Sequence, residues 1–160
     1  MDGVTIRRAS KADLGQLDAG LRQLSADLAD PHRARISDLE KVLTGPAPLA
    51  HAVIAETDND LAGLAMFSPI FSTMRGSAGL YVSDLWVSGA ARGQGLGQRV
   101  LAAAAEEAGQ LWDARFLRLV VYYDNPAAQR FYRRLGLAAD GNEILMTLDA
   151  SGLDALKGQA

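Results

Sequence analysis

The sequence predicts an α/β fold, a mixed, twisted sheet of about six or seven strands flanked by helices. Apolar runs of strand chemistry recur along the chain between segments of helical repeat. A strand at residues 80–87, a glycine loop, an alanine-rich helix and another apolar strand follow in the order that makes a parallel pair with a right-handed crossover. Near the N-terminus, Leu14, Leu17, Leu21, Leu24 and Leu28 recur at three- and four-residue intervals and line one helix face. With 160 residues the chain suits a single core, so one domain over residues 1–150 and a C-terminal tail at 151–160 are expected.

Each element has its own local cause. Residues 4–8 alternate apolar and polar and predict a short strand, and Ser10 and Asp13 bracket the start of the leucine helix, which must stop before Pro31. Ser37 through Glu40 matches the S-x-x-E capping box and predicts a second, short helix ending near Gly45 and Pro46. Between the two helices His32, Arg33 and Arg35 read as loop, with His32 a solvent-exposed histidine. Residues 51–56 and 61–71 are β-rich and separated by Asp58-Asn59-Asp60, turn chemistry that predicts an antiparallel hairpin with His51 on its first strand. A helix from Gly97 to about Trp112 and a strand at 116–122 follow. Asn125 is a natural N-cap, Pro126 is tolerated in a first turn, and Gly136 is a natural stop one residue past a helix end. Residues 144–148 predict a last strand, and the tail carries no readable site chemistry.

Composition narrows the function. The net charge is −3 and the isoelectric point near 5.3, which disfavours nucleic acid as the main partner, because duplex binding leaves a basic footprint. Absence of cysteine excludes disulfides, zinc-thiolate sites and a cysteine nucleophile, and no metal site is expected. No signal-peptide pattern is present and no apolar run nears bilayer length, so no membrane partner is expected and the cytoplasm is the expected compartment.

The most specific segment is Arg92-Gly93-Gln94-Gly95-Leu96-Gly97. Glycines leave backbone N–H groups uncovered, and the first turn of the following helix adds unpaired donors, which together suit a phosphate group. A P-loop would need lysine and then serine or threonine after its last glycine, but Gln98 and Arg99 stand there; the dinucleotide fingerprint would need glycine at Gln98 or Val100. What remains is RxxGxG at Arg92, Gly95 and Gly97.

With that loop, the strand before it and a second block formed by Asn125, Ala128, Phe131, Tyr132, Leu135, Gly136 and Leu137, most of the chain resembles the GNAT superfamily of acetyl-CoA-dependent N-acetyltransferases. The resemblance implies a GNAT-like sheet and acetyl transfer from acetyl-CoA to a primary amine by direct attack, and it allows a homodimer. It implies that Arg92, Gly93, Gly95, Leu96, Gly97 and Gln98 wrap the pyrophosphate of acetyl-CoA. By the same token Leu85, Trp86 and Val87 form the strand that meets the pantetheine arm, and Asn125 and Ala128 lie beside the coenzyme. Tyr132 is implied near the coenzyme sulfur as the acid, although packing against Phe131 is its alternative role, as capping alone is for Asn125. Residues 71–87 look most like the diamine and polyamine acetyltransferases, whose carboxylate pair falls at Ser83 and Asp84. Here serine replaces the first carboxylate, and strand alternation separates the two side chains unless a bulge intervenes. Asp84 is the charged candidate for the amine site, with a structural ion pair as its alternative. The expected acceptor is a small cationic amine whose proton leaves by a water relay near Ser83 and Asp84. The competing readings are a protein or peptide amine as acceptor, and a noncatalytic acyl-CoA-binding module.

Overall fold

Alternation at the N-terminus does build a strand, β1, Val4–Arg8, and a single 3-10 turn at Lys11–Asp13 leads into helix α1, Leu14–Leu28. The computed structural model describes residues 3–57 and 60–158, so Asp58 and Asn59 of the expected turn lie outside the described residues. It divides into two compact units, Met1–Val120 and Val121–Ala160.

In the first unit α1 is followed by α2, Ile36–Leu43, then by strands β2, His51–Thr57, β3, Asp60–Ser72, and β4, Ser77–Val87. Helix α3, Leu96–Trp112, and strand β5, Leu117–Leu119, complete it. The sheet order is β1-β2-β3-β4-β5, antiparallel up to β4, with β4 and β5 parallel and α3 as the connection. The mixed sheet, the hairpin and the parallel pair therefore follow the sequence reading.

Three expectations are corrected. The described residues hold five strands, fewer than the six or seven expected, because residues 144–148 form none and expose Ile144, Leu145 and Met146. Strand propensity describes side chains that suit a sheet, whereas a strand exists only where a partner completes its ladder. The strand expected at 116–122 shrinks to Leu117–Leu119 because β4 offers it partners only at Leu80, Tyr81 and Val82. The capping box also moves: α2 starts at Ile36, and it is the Asp38 carboxylate that accepts the Arg35 N–H at 3.1 Å, which leaves Ser37 inside the helix.

Two apolar layers cover the sheet. On one face Leu14, Leu17 and Leu21 of α1 and Leu39 of α2 pack on Ala52, Ile54, Leu64, Met66 and Trp86. On the other lies α3, whose Leu96 and Val100 come so near Gly63 that a Cβ there would stand 3.7 and 3.5 Å from them. Gly63 precedes Leu64, and alternation sends neighbours to opposite faces. Leu17, Ile54, Leu64, Leu96 and Val100 are essentially inaccessible, so both layers are dry.

The second unit contains α4, Pro126–Arg134, and α5, Ala150–Leu156. Both ends of α4 form as expected: Asn125 Oδ1 accepts the Ala128 N–H at 3.1 Å, and Gly136 has φ +90°, with the Leu137 N–H returning to Tyr132 O at 3.1 Å. Helix α5 occupies most of the expected tail, started by Asp149 Oδ1 accepting the Gly152 N–H at 2.9 Å. Among the described residues no helix is long and apolar enough to cross a membrane.

Candidate active site

The site begins with a register shift. Met66 faces Asp84 across the β3–β4 pair, yet Phe67 faces Val82, so Ser83 is an extra residue in β4. This bulge removes the objection that alternation would part Ser83 from Asp84. Ser83 Oγ donates to Asp84 Oδ2 at 2.7 Å, with Met66 O 3.4 Å away. Asp84 shares the sheet face of Met66 and Trp86, toward α1. Burial pushes its carboxyl above the usual carboxylate range, opposed by the Ser83 hydrogen bond and by the charge of His32.

The same strand supplies an opening. Pairing with β5 ends at Val82, so along residues 83–87 the edge of β4 away from β3 has no strand partner among the described residues. Leu85 and Val87, opposite Ala65 and Gly63, are half-buried on the α3 side. Trp86 is buried against α1, and its Nε1 donates to Asp27 Oδ2 at 3.2 Å. These side chains pack; what β4 leaves free is backbone.

Beyond β4 a 3-10 turn at Gly89–Ala91 brings the Arg92 N–H onto Ser88 O at 3.1 Å. Gly93 and Gly95 take φ +76° and +77°, a region that L side chains avoid, and Leu96 is buried as the anchor of α3. The amides of residues 93–98 meet no acceptor among the described residues, and the first bond back into the helix runs from the Arg99 N–H to Gly95 O at 3.3 Å. Gly97 lies in the first turn and Gln98 is exposed. The result is a row of aligned donors at the positive end of a 17-residue helix. Arg92 does not reach freely into solvent, because its guanidinium donates to Val87 O at 2.9 Å and pairs with Asp27.

In the second unit, Tyr132 stands edge-on to Phe131, ring centroids 5.0 Å apart. Burial pushes its phenol up to about 12. A full proton transfer from such a group to a thiolate of ordinary pKa is uphill by about 5 kcal/mol, so the hydroxyl is suited to donating a hydrogen bond rather than a proton. Asn125 spends Oδ1 on the Ala128 N–H, so its capping role is realised.

The two histidines part company. His51 is buried on β2 with its ring 5.8 Å from Phe67 and 5.2 Å from Trp112; burial, then Arg8, lower its pKa, and it is a core residue. His32, expected in solvent, is 14% exposed. Chain reversal after α1 folds it back onto Ser25 and Asp18. Sequence reading missed Asp18 and Asp27 and placed His32 in solvent. The available signal was polar residues in α1 beside the leucine stripe, since Asp18, Arg22 and Ser25 follow one another at helical spacing.

A mixed sheet that opens beside a bulged β4, with a bare-amide loop at the start of the next helix, is the geometry of the candidate site. Residues 21–137 match the family model described as acetyltransferase (GNAT) family. The chain belongs to that family, and it is an acetyl-CoA-dependent N-acetyltransferase. It is 29% identical over 146 residues to the thialysine N-epsilon-acetyltransferase of Mus musculus, covering 85% of each chain. Among solved structures it is similar to an integron cassette protein from the mobile metagenome of V. cholerae, with TM-score 0.78, 23% identity and coverage of 98% and 99% of the two chains. An aminoglycoside N-acetyltransferase in complex with CoA matches with TM-score 0.75 and 21% identity over 91% of this chain and 94% of that one. At these identities the solved structures speak for the fold.

Proposed function

We propose that the enzyme acetylates the primary amine of a small cationic acceptor, with Ser83 and Asp84 on the amine side. The observation that carries this reading is the bulge, which puts a hydroxyl and a carboxylate 2.7 Å apart on the strand whose free edge begins at the same point. Acetyl-CoA lies with its pyrophosphate on the amides of residues 93–98, and its pantetheine arm follows the open edge of β4 at Leu85, Trp86 and Val87. Arg92 orders the loop from below, Gln98 and the Gly97 N–H face the phosphates, and Asn125 and Ala128 start the helix that carries Tyr132.

The chemistry follows from these groups. The ammonium loses a proton near Asp84, and the amine lone pair attacks the thioester carbonyl carbon. A C–N bond forms as the C–S bond breaks, and the electron pair departs on sulfur. By its place in the second family block, Tyr132 is the hydrogen-bond donor to that sulfur; of the two protons still on the nitrogen after attack, one passes to the thiolate to give the thiol and the other stays in the amide. A carboxylate at Asp84 also attracts a cation, so its loss weakens the acceptor rather than acetyl-CoA. The mouse relative, named for a lysine-like amine, supports an amine acceptor. The reaction belongs in the cytoplasm, where acetyl-CoA is available.

The test is release of free thiol from acetyl-CoA with diamines, polyamines, thialysine-like amino acids, aminoglycosides and peptide N-termini. Turnover with small amines is expected. Turnover confined to peptides would move the acceptor to the protein class, and acetyl-CoA binding without turnover on any amine would leave a noncatalytic binding module.

A further inference from the structure

Ser10, Ser83 and Ser151 each donate a hydroxyl to a carboxylate: Ser10 to Asp13 Oδ2 at 2.7 Å, Ser83 to Asp84 Oδ2 at 2.7 Å and Ser151 to Asp149 Oδ1 at 2.9 Å. All three serines are exposed. A carboxylate beside a hydroxyl makes a nucleophile–base pair only if it stays basic, and here the three differ. Asp13 is held by both terminal nitrogens of Arg7, at 2.7 and 2.8 Å, and that cation keeps its carboxyl well below the usual range. Asp149 accepts the Gly152 N–H at 2.9 Å, which lowers it too. Asp84 has neither a cation nor an amide bonded to its side chain; among the described residues its carboxylate accepts from Ser83 alone, and burial raises it. Of the three it is the carboxylate suited to take a hydroxyl proton.

The fold presents this pair where β4 opens. Ser83 is the extra residue of the bulge, pairing with β5 ends one residue before it, and the free edge proposed for the pantetheine arm starts there. Met66 O, 3.4 Å from Ser83 Oγ, is too far to draw the hydroxyl hydrogen from Asp84. In the amine reading above, the nitrogen loses its proton near Asp84 and then attacks the thioester carbonyl. Ser83 Oγ stands 2.7 Å from the same carboxylate. Hydroxyl and amine are therefore alternative nucleophiles about one base, and without an amine the hydroxyl is left.

We propose that Ser83 is a site of self-acetylation, whose hydroxyl takes the acetyl group when acetyl-CoA is bound and no acceptor amine is present. This rests on the amine-acetylation reading above. The Ser83 O–H bond breaks with its electron pair left on oxygen, and the proton goes to Asp84. A bond forms from Oγ to the carbonyl carbon as the C–S bond breaks, and the electron pair departs on sulfur. Asp84 then gives the proton to that thiolate, so the products are the free thiol, an ionised Asp84 and an acetyl ester on Ser83. A neutral hydroxyl is a weak nucleophile at its own pKa, so this step is slower than turnover and an amine outcompetes it. The ester oxygen has no hydrogen for Asp84, and the acetyl group occupies the amine side. Acetylated enzyme is thereby silent until water cleaves the ester to acetate.

The experiment incubates the full-length enzyme with acetyl-CoA at neutral pH and no amine. One acetyl group per chain is expected by intact mass, placed on Ser83 by tandem mass spectrometry and removed by alkaline hydroxylamine as an ester is, with Ser10 and Ser151 unlabelled. Ser83→Ala should lose that label, and Asp84→Asn should form it about 10²-fold more slowly. The best amine of the panel, added at the start, should suppress it. Amine turnover by wild type should fall during preincubation in step with the label, while Ser83→Ala keeps whatever rate it starts with. Wild type that acetylates amines but leaves Ser83 unlabelled overturns the inference and leaves the amine reading standing. A label that is wholly hydroxylamine-resistant and persists in Ser83→Ala does the same. Labelling of Asp84→Asn at the wild-type rate overturns Asp84 as the base. Acetyl-CoA binding with no amine turned over overturns the amine reading and the inference with it.

Discussion

Burial lifts both acidic groups of the proposed reaction, Asp84 and Tyr132, and the consequences run in different directions. For Tyr132 a phenol near 12 stays protonated across the working range, so its contribution is a hydrogen bond to charge that develops on sulfur. Tyr132→Phe is expected to lower the single-turnover rate about 10²-fold while acetyl-CoA affinity by calorimetry stays unchanged; an unchanged single-turnover rate would make Tyr132 a packing residue. For Asp84 the folded state binds the proton more tightly than the unfolded chain. Stability therefore declines as pH rises from about 4 through the raised folded value, and at neutral pH the charge is a cost to folding. Asp84→Asn should raise Tm at pH 7.5 and raise the acceptor KM, with acetyl-CoA affinity unmoved. A lower Tm would mean that the carboxylate is held by stronger partners than Ser83 and His32.

The glycine loop and α3 work as one element. Gly95 has φ +77°, where a β-branched side chain is strained, and the loop backbone would have to rearrange to take one. Gly95→Val should therefore abolish acetyl-CoA binding while the sheet still folds, as calorimetry beside thermal melting would show; wild-type affinity in a folded variant would move the phosphate site elsewhere. Asp27 ties this element to its neighbours, since it accepts from Trp86 of β4 at 3.2 Å and pairs with Arg92. Asp27→Ala should weaken acetyl-CoA binding several-fold, by loosening the loop rather than removing a ligand. The loop was legible because its chemistry is local: glycines, a helix start and a preceding strand are adjacent in sequence. Asp27 was not, because its partners lie 59 and 65 residues away.

Across the first unit, a polar network joins the start of the chain to the sheet. Asp13 accepts from both terminal nitrogens of Arg7, at 2.7 and 2.8 Å, and from Ser10, while Arg7 also holds Glu56 of β2. The Arg7 bonds, aided by Ser10, hold the Asp13 carboxyl well below the usual carboxylate range against its burial. A depressed carboxylate contributes its stability above the unfolded value and loses it as pH falls below about 4. His51, kept neutral by burial, costs stability from about pH 6.5 downward, because the unfolded chain takes up the proton that the folded state refuses. Tm should thus fall in two stages on acidification. Asp13→Asn should remove about 2 kcal/mol at pH 7 and flatten the lower stage. A Tm equal to wild type would mean that Arg7 and Glu56 suffice without Asp13.

By itself the sequence determined helices α1 to α4, the hairpin, the glycine loop and the caps of α4. Each rests on residues within a few positions of one another, so periodicity, glycine and capping chemistry are enough to read them. Whether residues 144–148 form a strand, and how far β5 runs, depended on where a partner ends. The same holds for the proposed amine side of the site. Ser83 and Asp84 are adjacent in sequence, yet only the β3 register, one residue short between Met66 and Phe67, decides that their side chains meet. His32 is a loop histidine by its neighbours, yet the fold lays it against Ser25 and Asp18 of α1 and leaves it only 14% exposed. Local chemistry writes the elements; long-range register and helix packing decide which polar groups are buried together.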